Sequence, residues 1–414
     1  MDQDPPASTL NSTQHMRLTA RQRNLLQVGV AYALVATTAI TGYWIFKPVF
    51  ADPLDEDTLF VVMGARIGLE HGWNHLYDLA LQRQYYAMMA PELPFTELAR
   101  YLHPPPLALL AIPLTLIPLA AAFWVGFGAQ LMSLVASWWI AAPGRGLEPA
   151  RTLYLLGALA WYPVLYQLRT GQPVLLIALA LVLSWRLAES NRPWLAGIVL
   201  AFCTMKPQLT LWVAPCLLLA GHWRIAVAWT GTAGVLAVGS LALIGWTGLH
   251  DYIALLNFAR DITFNRFFTL AYVFVTVPAS TAAELVVAAF GLFAAYRMRR
   301  APLARIFALG VVTSMLAIPY DHLHDFAILV PAAFLFLRTD PPSWQRAWLV
   351  VVWLTFEFAW PLHPLPMLIA QAGWLLMLAF PLVSRRPASR PAGVETSPAE
   401  GRLGANRLLA VFSP

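Results

Sequence analysis

Charge is what this chain has least of. Asp, Glu, Lys and Arg make up 12% of its 414 residues, about half the share of an ordinary globular domain, while 59% are hydrophobic. That shortage excludes a soluble fold and points to lipid as part of the solvent. The alternation of apolar and polar residues that marks barrel strands is also missing. Runs such as 174–185, 195–205 and 225–246 must therefore be helices, whose backbone groups pair internally. Cysteine is equally scarce: Cys203 and Cys216 both lie in apolar segments, so no disulfide framework is implied and the redox compartment is left open. No internal repeat of the kind found in many secondary transporters is visible. No glycine-rich phosphate loop follows a strand, which removes a nucleotide-binding fold.

What is present is a series of apolar segments, and the expectation is an all-α, polytopic integral membrane protein. About 12 transmembrane or partly spanning helices are expected, near 27–46, 118–142, 152–168, 172–188, 193–205, 207–220, 225–246, 281–297, 303–319, 323–337, 345–361 and 365–383. The first is read as a retained span, because no small-residue cleavage site follows it; a signal peptide is the alternative. The segments on either side of Lys206 and Pro207 are too short to cross about 30 Å of hydrocarbon alone. A helix broken at that depth must line a cavity or be buried in protein.

Arginine and lysine set the orientation. With the N-terminus cytoplasmic, most of the 27 basic residues fall on the inside, among them Arg17, Arg21, Arg23, Arg145, Arg151, Arg297, Arg299, Arg300, Arg385 and Arg386. The outside then holds Lys47, Arg66, Arg83, Arg100, Arg169, Lys206, Arg260 and Arg266. Both termini are accordingly expected in the cytoplasm, and the basic balance is a topology signal with no nucleic-acid partner implied. Three parts follow: a cytoplasmic segment 1–25, one transmembrane domain 26–383, and a disordered cytoplasmic tail 384–414 rich in Pro, Ser, Gly and Arg. The long first outer loop, 47–104, carries two helical patterns at 58–69 and 76–89 that suit the membrane interface. Trp44, Trp124, Trp223, Trp344 and Trp360, near span ends, read as an aromatic belt.

Against so apolar a background each polar cluster carries information, and the topology puts five of them on one face. They are Asp55-Glu56-Asp57, His103-Pro104-Pro105-Pro106, Thr170-Gly171-Gln172-Pro173, Met205-Lys206-Pro207-Gln208 and the run from Pro319 to Asp325. Asp57 is either a general base just outside the membrane or a solvated loop charge. Lys206, one of two lysines, is either a partner for a phosphate or a side chain snorkelling to the interface. Gly171 and Gln172 form either part of a site or a tight turn. His322, His324, Asp321 and Asp325 are able to bind metal, but nothing elsewhere completes a ligand set. Hydrogen bonding to a polar head group, or a proton relay, is the preferred reading, with no metal or cofactor expected.

In order and approximate spacing these clusters resemble glycosyltransferase family 87. The resemblance is carried by Asp57, Ala65-Arg66, Gly72, Leu76-Tyr77-Asp78, His103-Pro104-Pro105, Gly171-Gln172, Lys206-Pro207 and the segment from Pro319-Tyr320 to Asp325, across roughly residues 40–380. It implies a GT-C fold and an α-mannosyltransferase-like enzyme. Such an enzyme moves a hexose from a polyprenyl-phosphate carrier to a lipid-linked or other envelope glycan acceptor outside the cytoplasm, in a bacterial-type inner (plasma) membrane. It also implies Asp57 as catalytic base, and substrate contacts from Arg66, His103, Gln172, Lys206, Gln208, Tyr320, His322, His324 and Asp325. Two positions depart from the family pattern: His103 stands where a tyrosine commonly precedes the prolines, and His322 and His324 enrich the last motif in histidine. A transporter or flippase of a lipid-linked sugar is the competing reading, and a membrane acyltransferase a third.

Overall fold

The computed structural model describes residues 19–51, 57–96, 98–359 and 363–380. Asp55, Glu56 and Trp360 lie outside that set, as do the tail 384–414 and most of segment 1–25. The described residues are helical, with no strand among them.

The chain opens with a long helix, α1 (Ala20–Ala51), and then builds an outer layer from α2 (Thr58–His71), α3 (Leu79–Met89) and α4 (Pro105–Leu110). Both helical patterns expected in the first outer loop are present, and α2 is buried in protein over much of its surface. Its residues Leu59, Val61, Val62, Met63, Ala65 and Ile67 are buried. Leu59, Met63 and Ile67 pack into an outer core with Tyr77, Tyr85, Tyr86, Tyr101, Ile244 and Leu255, while Val61 and Ala65 pack with Leu107, Ala111 and Met205. α5 (Leu119–Ala141) returns through the apolar layer.

The expected span at 152–168 is broken into α6 (Pro149–Ala160) and α7 (Tyr162–Thr170). Pro163 in the first turn of α7 accounts for the break, since a proline lacks the donor that a continuous helix requires there. α7 meets α8 (Val174–Glu189) at a bend of 115°. α9 (Pro193–Ala201) and α10 (Val213–Leu219) are joined by two 3-10 turns, Phe202–Met205 and Pro207–Leu209, with Lys206 between them. Cys203 and Cys216 are free and buried here.

α11 (Trp223–Asp261) runs for 39 residues, so residues 247–261 continue the helix beyond the expected end of that span. It bends at Gly245, whose φ of 64° is open to glycine but not to a continuing L-residue helix. Short helices α12 (Thr263–Arg266) and α13 (Leu270–Val273) lead into α14 (Val277–Arg297). The chain ends with α15 (Leu303–Leu316), a 3-10 segment at Leu323–Ile328 running into α16 (Leu329–Leu337), and the pair α17 (Ser343–Glu357) and α18 (Leu365–Ala379). Arg305 donates to the carbonyls of Leu378 and Met377, placing a cation at the negative end of α18.

Among the described residues four helices are long and apolar enough each to cross a membrane: α1, α5, α11 and α14. The bent pair α7–α8 adds a fifth span if counted as one. Shorter apolar stretches, Pro193–Met205, Leu303–Leu316, Leu323–Leu337 and Leu365–Ala379, make up much of the rest of the expected set.

Candidate active site

Five breaks in helical structure meet at one place. The start of α2 supplies Asp57, the loop before α4 supplies His103, and the α7–α8 turn supplies Gln172. The paired 3-10 turns supply Lys206, and the 3-10 segment before α16 supplies His322, His324 and Asp325.

Asp57 occupies the N-cap position of α2, where an aspartate ordinarily accepts from its own helix, but its side chain makes no such bond. Its Oδ2 instead accepts from Gln172 Nε2 at 2.7 Å. The carboxylate is thus turned toward the α7–α8 bend. Gly171 makes that approach possible. It holds φ 72°, and a Cβ there would stand 2.1 Å from Thr58 Oγ1. A side chain at 171 would push away the residue next to Asp57.

Gln172 is braced from behind. Gln167 Nε2 donates to the Gln172 carbonyl and, at 2.5 Å, to Gln130 Oε1; all three glutamines are buried. Sequence reasoning passed over Gln130 and Gln167. The available signal was a polar amide in the middle of one apolar run, at Gln130, and near the end of another, at Gln167. Gln172 Oε1 in turn accepts from Lys206 Nζ at 3.3 Å.

Lys206 is 3% exposed, so it does not snorkel. Its ammonium forms an ion pair with Asp325 and contacts His324 Nε2 at 3.3 Å. Lysine can only donate, so His324 accepts at Nε2 and carries its proton on Nδ1. That Nδ1 is buried and has no hydrogen-bond partner among the described residues. The rings of His322 and His324 stack 5.3 Å apart and within 4° of parallel. The His322 backbone N–H donates to Asp321 Oδ1 at 2.9 Å and to Asp325 Oδ2 at 3.3 Å. Asp321 is also buried, its N–H donating to the Asn265 carbonyl at 2.8 Å.

The loop imidazoles are held neutral. Burial, followed by the Lys206 ammonium, pushes His103 down to about 3, and burial pushes His322 down to about 4. His103 is fixed by its backbone carbonyl, which accepts from Tyr77 Oη at 2.8 Å, and by a side-chain hydrogen bond to Gln172. Tyr77 stacks on Tyr252 of α11, with centroids 4.5 Å apart. Tyr320 lies in the loop before the histidines, where burial and the carboxylates of Asp325 and Asp321 push its hydroxyl up to about 12. Burial and the nearby Asp325 carboxylate hold Asp321 well above the usual carboxylate range.

Asp57, His103, Gln172, Lys206, Tyr320, His322, His324 and Asp325 are therefore brought together. Two expected site residues are not. Arg66 sits on α2 beside Tyr85, which donates to Glu70 at 2.5 Å, and Gln208 is half-buried on the Pro207–Leu209 turn. Neither joins the described network. Among the described residues no three His, Cys, Asp or Glu side chains are arranged to hold a metal ion.

Directly beside Thr58 and Gly171 opens an apolar cavity of about 320 Å³, walled by Val61, Leu107, Leu114, Leu176, Ile177, Phe202 and Met205. An all-α protein with several candidate spans thus holds a buried polar centre beside an apolar cavity. Residues 101–319, more than half of the chain, match the model of glycosyltransferase family 87. The chain belongs to that family and is a membrane glycosyltransferase, taking a sugar donor and an acceptor. The matched segment contains His103, Gln172 and Lys206; Asp57 lies before it, and Tyr320 to Asp325 directly after. No curated protein sequence and no solved structure matches the chain significantly.

Proposed function

We propose that this glycosyltransferase has a GT-C fold and uses a polyprenyl-phosphate-linked hexose, of the mannose type, as donor. The acceptor is a lipid-linked or envelope glycan on the extracytoplasmic face of an inner (plasma) membrane, with both termini in the cytoplasm. The observation that carries this reading is the apolar cavity lined by Thr58, Gly171 and Pro173, the chain neighbours of the hydrogen-bonded Asp57 and Gln172. An isoprenoid tail needs an apolar groove, while its phosphate and sugar need a polar end, and the two environments adjoin here.

In the proposed reaction the acceptor hydroxyl oxygen attacks the anomeric carbon and its proton passes to Asp57. The bond from that carbon to the phosphate oxygen breaks, and polyprenyl phosphate leaves with the electron pair. Inversion at the sugar carbon follows from a single displacement. A positioned carboxylate base of this kind contributes about 10²- to 10⁴-fold. The His324 Nδ1 proton, buried without a hydrogen-bond partner among the described residues, suits an oxygen of the leaving phosphate, and the Lys206 charge lies directly behind it. His103, His322 and Tyr320 line the same polar end and suit the sugar hydroxyls.

The test is transfer by the purified protein in detergent, with a panel of radiolabelled polyprenyl-phosphate sugars and an envelope lipid extract, comparing wild type with Asp57→Asn. Transfer from one such donor, lost by about 10²-fold or more in the variant, is expected. Full activity in Asp57→Asn would remove Asp57 as base. Transfer from a nucleotide sugar and from no lipid-linked donor would overturn the donor class.

A further inference from the structure

The buried amide of Gln172 touches both halves of the polar centre, and its two ends are chemically different. Its Oε1 accepts from Lys206 Nζ at 3.3 Å and its Nε2 donates to Asp57 Oδ2 at 2.7 Å. The orientation of that amide is not a free choice. An ammonium has no acceptor, so the oxygen must face Lys206, and the NH₂ is then left to face Asp57. A carboxylate receives that N–H best when ionised, the form a base requires. Lys206 is itself immobilised by Asp325 and His324. The side chain is also fixed from behind: Gly171 and Pro173 bracket it in the turn, and its carbonyl is held by Gln167.

From this we infer that Gln172 is a positioning residue for the transfer: a neutral relay through which the Lys206–Asp325 pair fixes the placement and ionised state of the Asp57 carboxylate, in place of a contact to substrate. A lysine paired directly with Asp57 would hold the carboxylate as firmly but would oppose its taking a proton. The amide itself carries no charge, so it aims the base without adding a counter-charge of its own. The inference rests on Asp57 acting as the base.

Two substitutions test it. Gln172→Met keeps the volume and removes both polar ends; Gln172→Glu keeps the shape and replaces the donor with a second carboxylate. The Met variant is expected to lose about 10²-fold in kcat, the scale of a reacting group misplaced by about 1 Å, with KM within about twofold of wild type. Removing a hydrogen bond to the ionised base moves the acid limb of kcat/KM up by about one pH unit. In the Glu variant the limb moves further in the same direction, because like charges then face each other.

A Met variant with wild-type kcat and an unmoved acid limb, alongside an inactive Asp57→Asn, would overturn the role of Gln172 and leave the base in place. A rise in KM with kcat unchanged would make Gln172 a substrate contact and overturn it equally. If Asp57→Asn is itself fully active, the reading of the base fails first, which the same assay reports separately. Thermal unfolding of each variant in detergent separates a chemical loss from a folding loss, and Gln172→Glu keeps the question answerable if the Met variant does not fold.

Discussion

α11 and α15 are both apolar helices, yet they obey opposite rules. Over its most hydrophobic stretch α11 is almost wholly unburied by protein, as is α1, and both are long and unbroken over that stretch. α15 has 14 residues, and every one from Ala304 to Leu316 is buried. At 1.5 Å per residue it is about 21 Å long, short of the roughly 30 Å of a bilayer core. A helix facing lipid must satisfy its backbone alone along its whole length. One wrapped in protein can stop early, because its neighbours take up the ends. The polar centre draws Gln172, Lys206 and the 322–325 side chains from such interruptions, at the α7–α8 bend, around Lys206, and ahead of α16.

This contrast is open to direct attack. The largest effect is expected from Lys206→Met, which leaves the buried Asp325 carboxylate without its cation. Loss of about 3–5 kcal/mol is expected, read as a lowered unfolding midpoint in detergent. Adding Asp325→Leu should recover most of that stability without recovering transfer. If the single variant is as stable as wild type, the pair does not hold the centre together.

Gly171→Ala comes next, combining a positive φ with the collision on Thr58 Oγ1. A cost of about 1–3 kcal/mol and a fall in transfer are expected, with partial recovery when Thr58→Ala is added. An unchanged midpoint and rate would show that the 57–58 segment is not seated on this turn. A pH titration sharpens the same point at smaller scale. His103 and His322 are held down to about 3 and about 4, while unfolded histidine titrates near 6.5. The unfolded chain therefore binds more protons between those values, and stability should fall as pH drops below about 6.5 toward 4. His103→Gln should flatten that slope; an equally steep slope in the variant would assign it elsewhere. The smallest effect belongs to the lipid face. A Cβ at Gly239 of α11 meets nothing within 4 Å, so Gly239→Ala should shift stability by no more than about 0.5 kcal/mol. A large loss there would mean that this face of α11 is covered by another protein surface.

Much of the architecture was legible in the sequence because scarcity made it so. With so little charge available, Asp57, Lys206 and the stretch ending at Asp325 stood out, and Pro207 marked the break beside the lysine. Less legible were features that depend on what lies opposite. Apolar periodicity could not distinguish a helix lying on a membrane from α2, buried on most sides, since both read as amphipathic. Pro163 stood inside an apparently continuous run, and the structure shows that the helix breaks there, between α6 and α7. Lys206 was open between a phosphate partner and an interfacial charge. Its pairing with Asp325 crosses more than a hundred residues of sequence, a distance that no local pattern reports.

The bend in α11 also sets a height. From Trp223 to Ile244 the helix has about 22 residues, or about 33 Å, which matches the hydrocarbon thickness of a bilayer. The remainder, beginning at Gly245, leans into the outer core, where Ile244 and Leu255 pack and Tyr252 stacks on Tyr77. Tyr77 in turn holds His103. The position of one glycine along α11 thus acts as a depth gauge, setting where the helix leaves its straight apolar course and meets the core that holds His103.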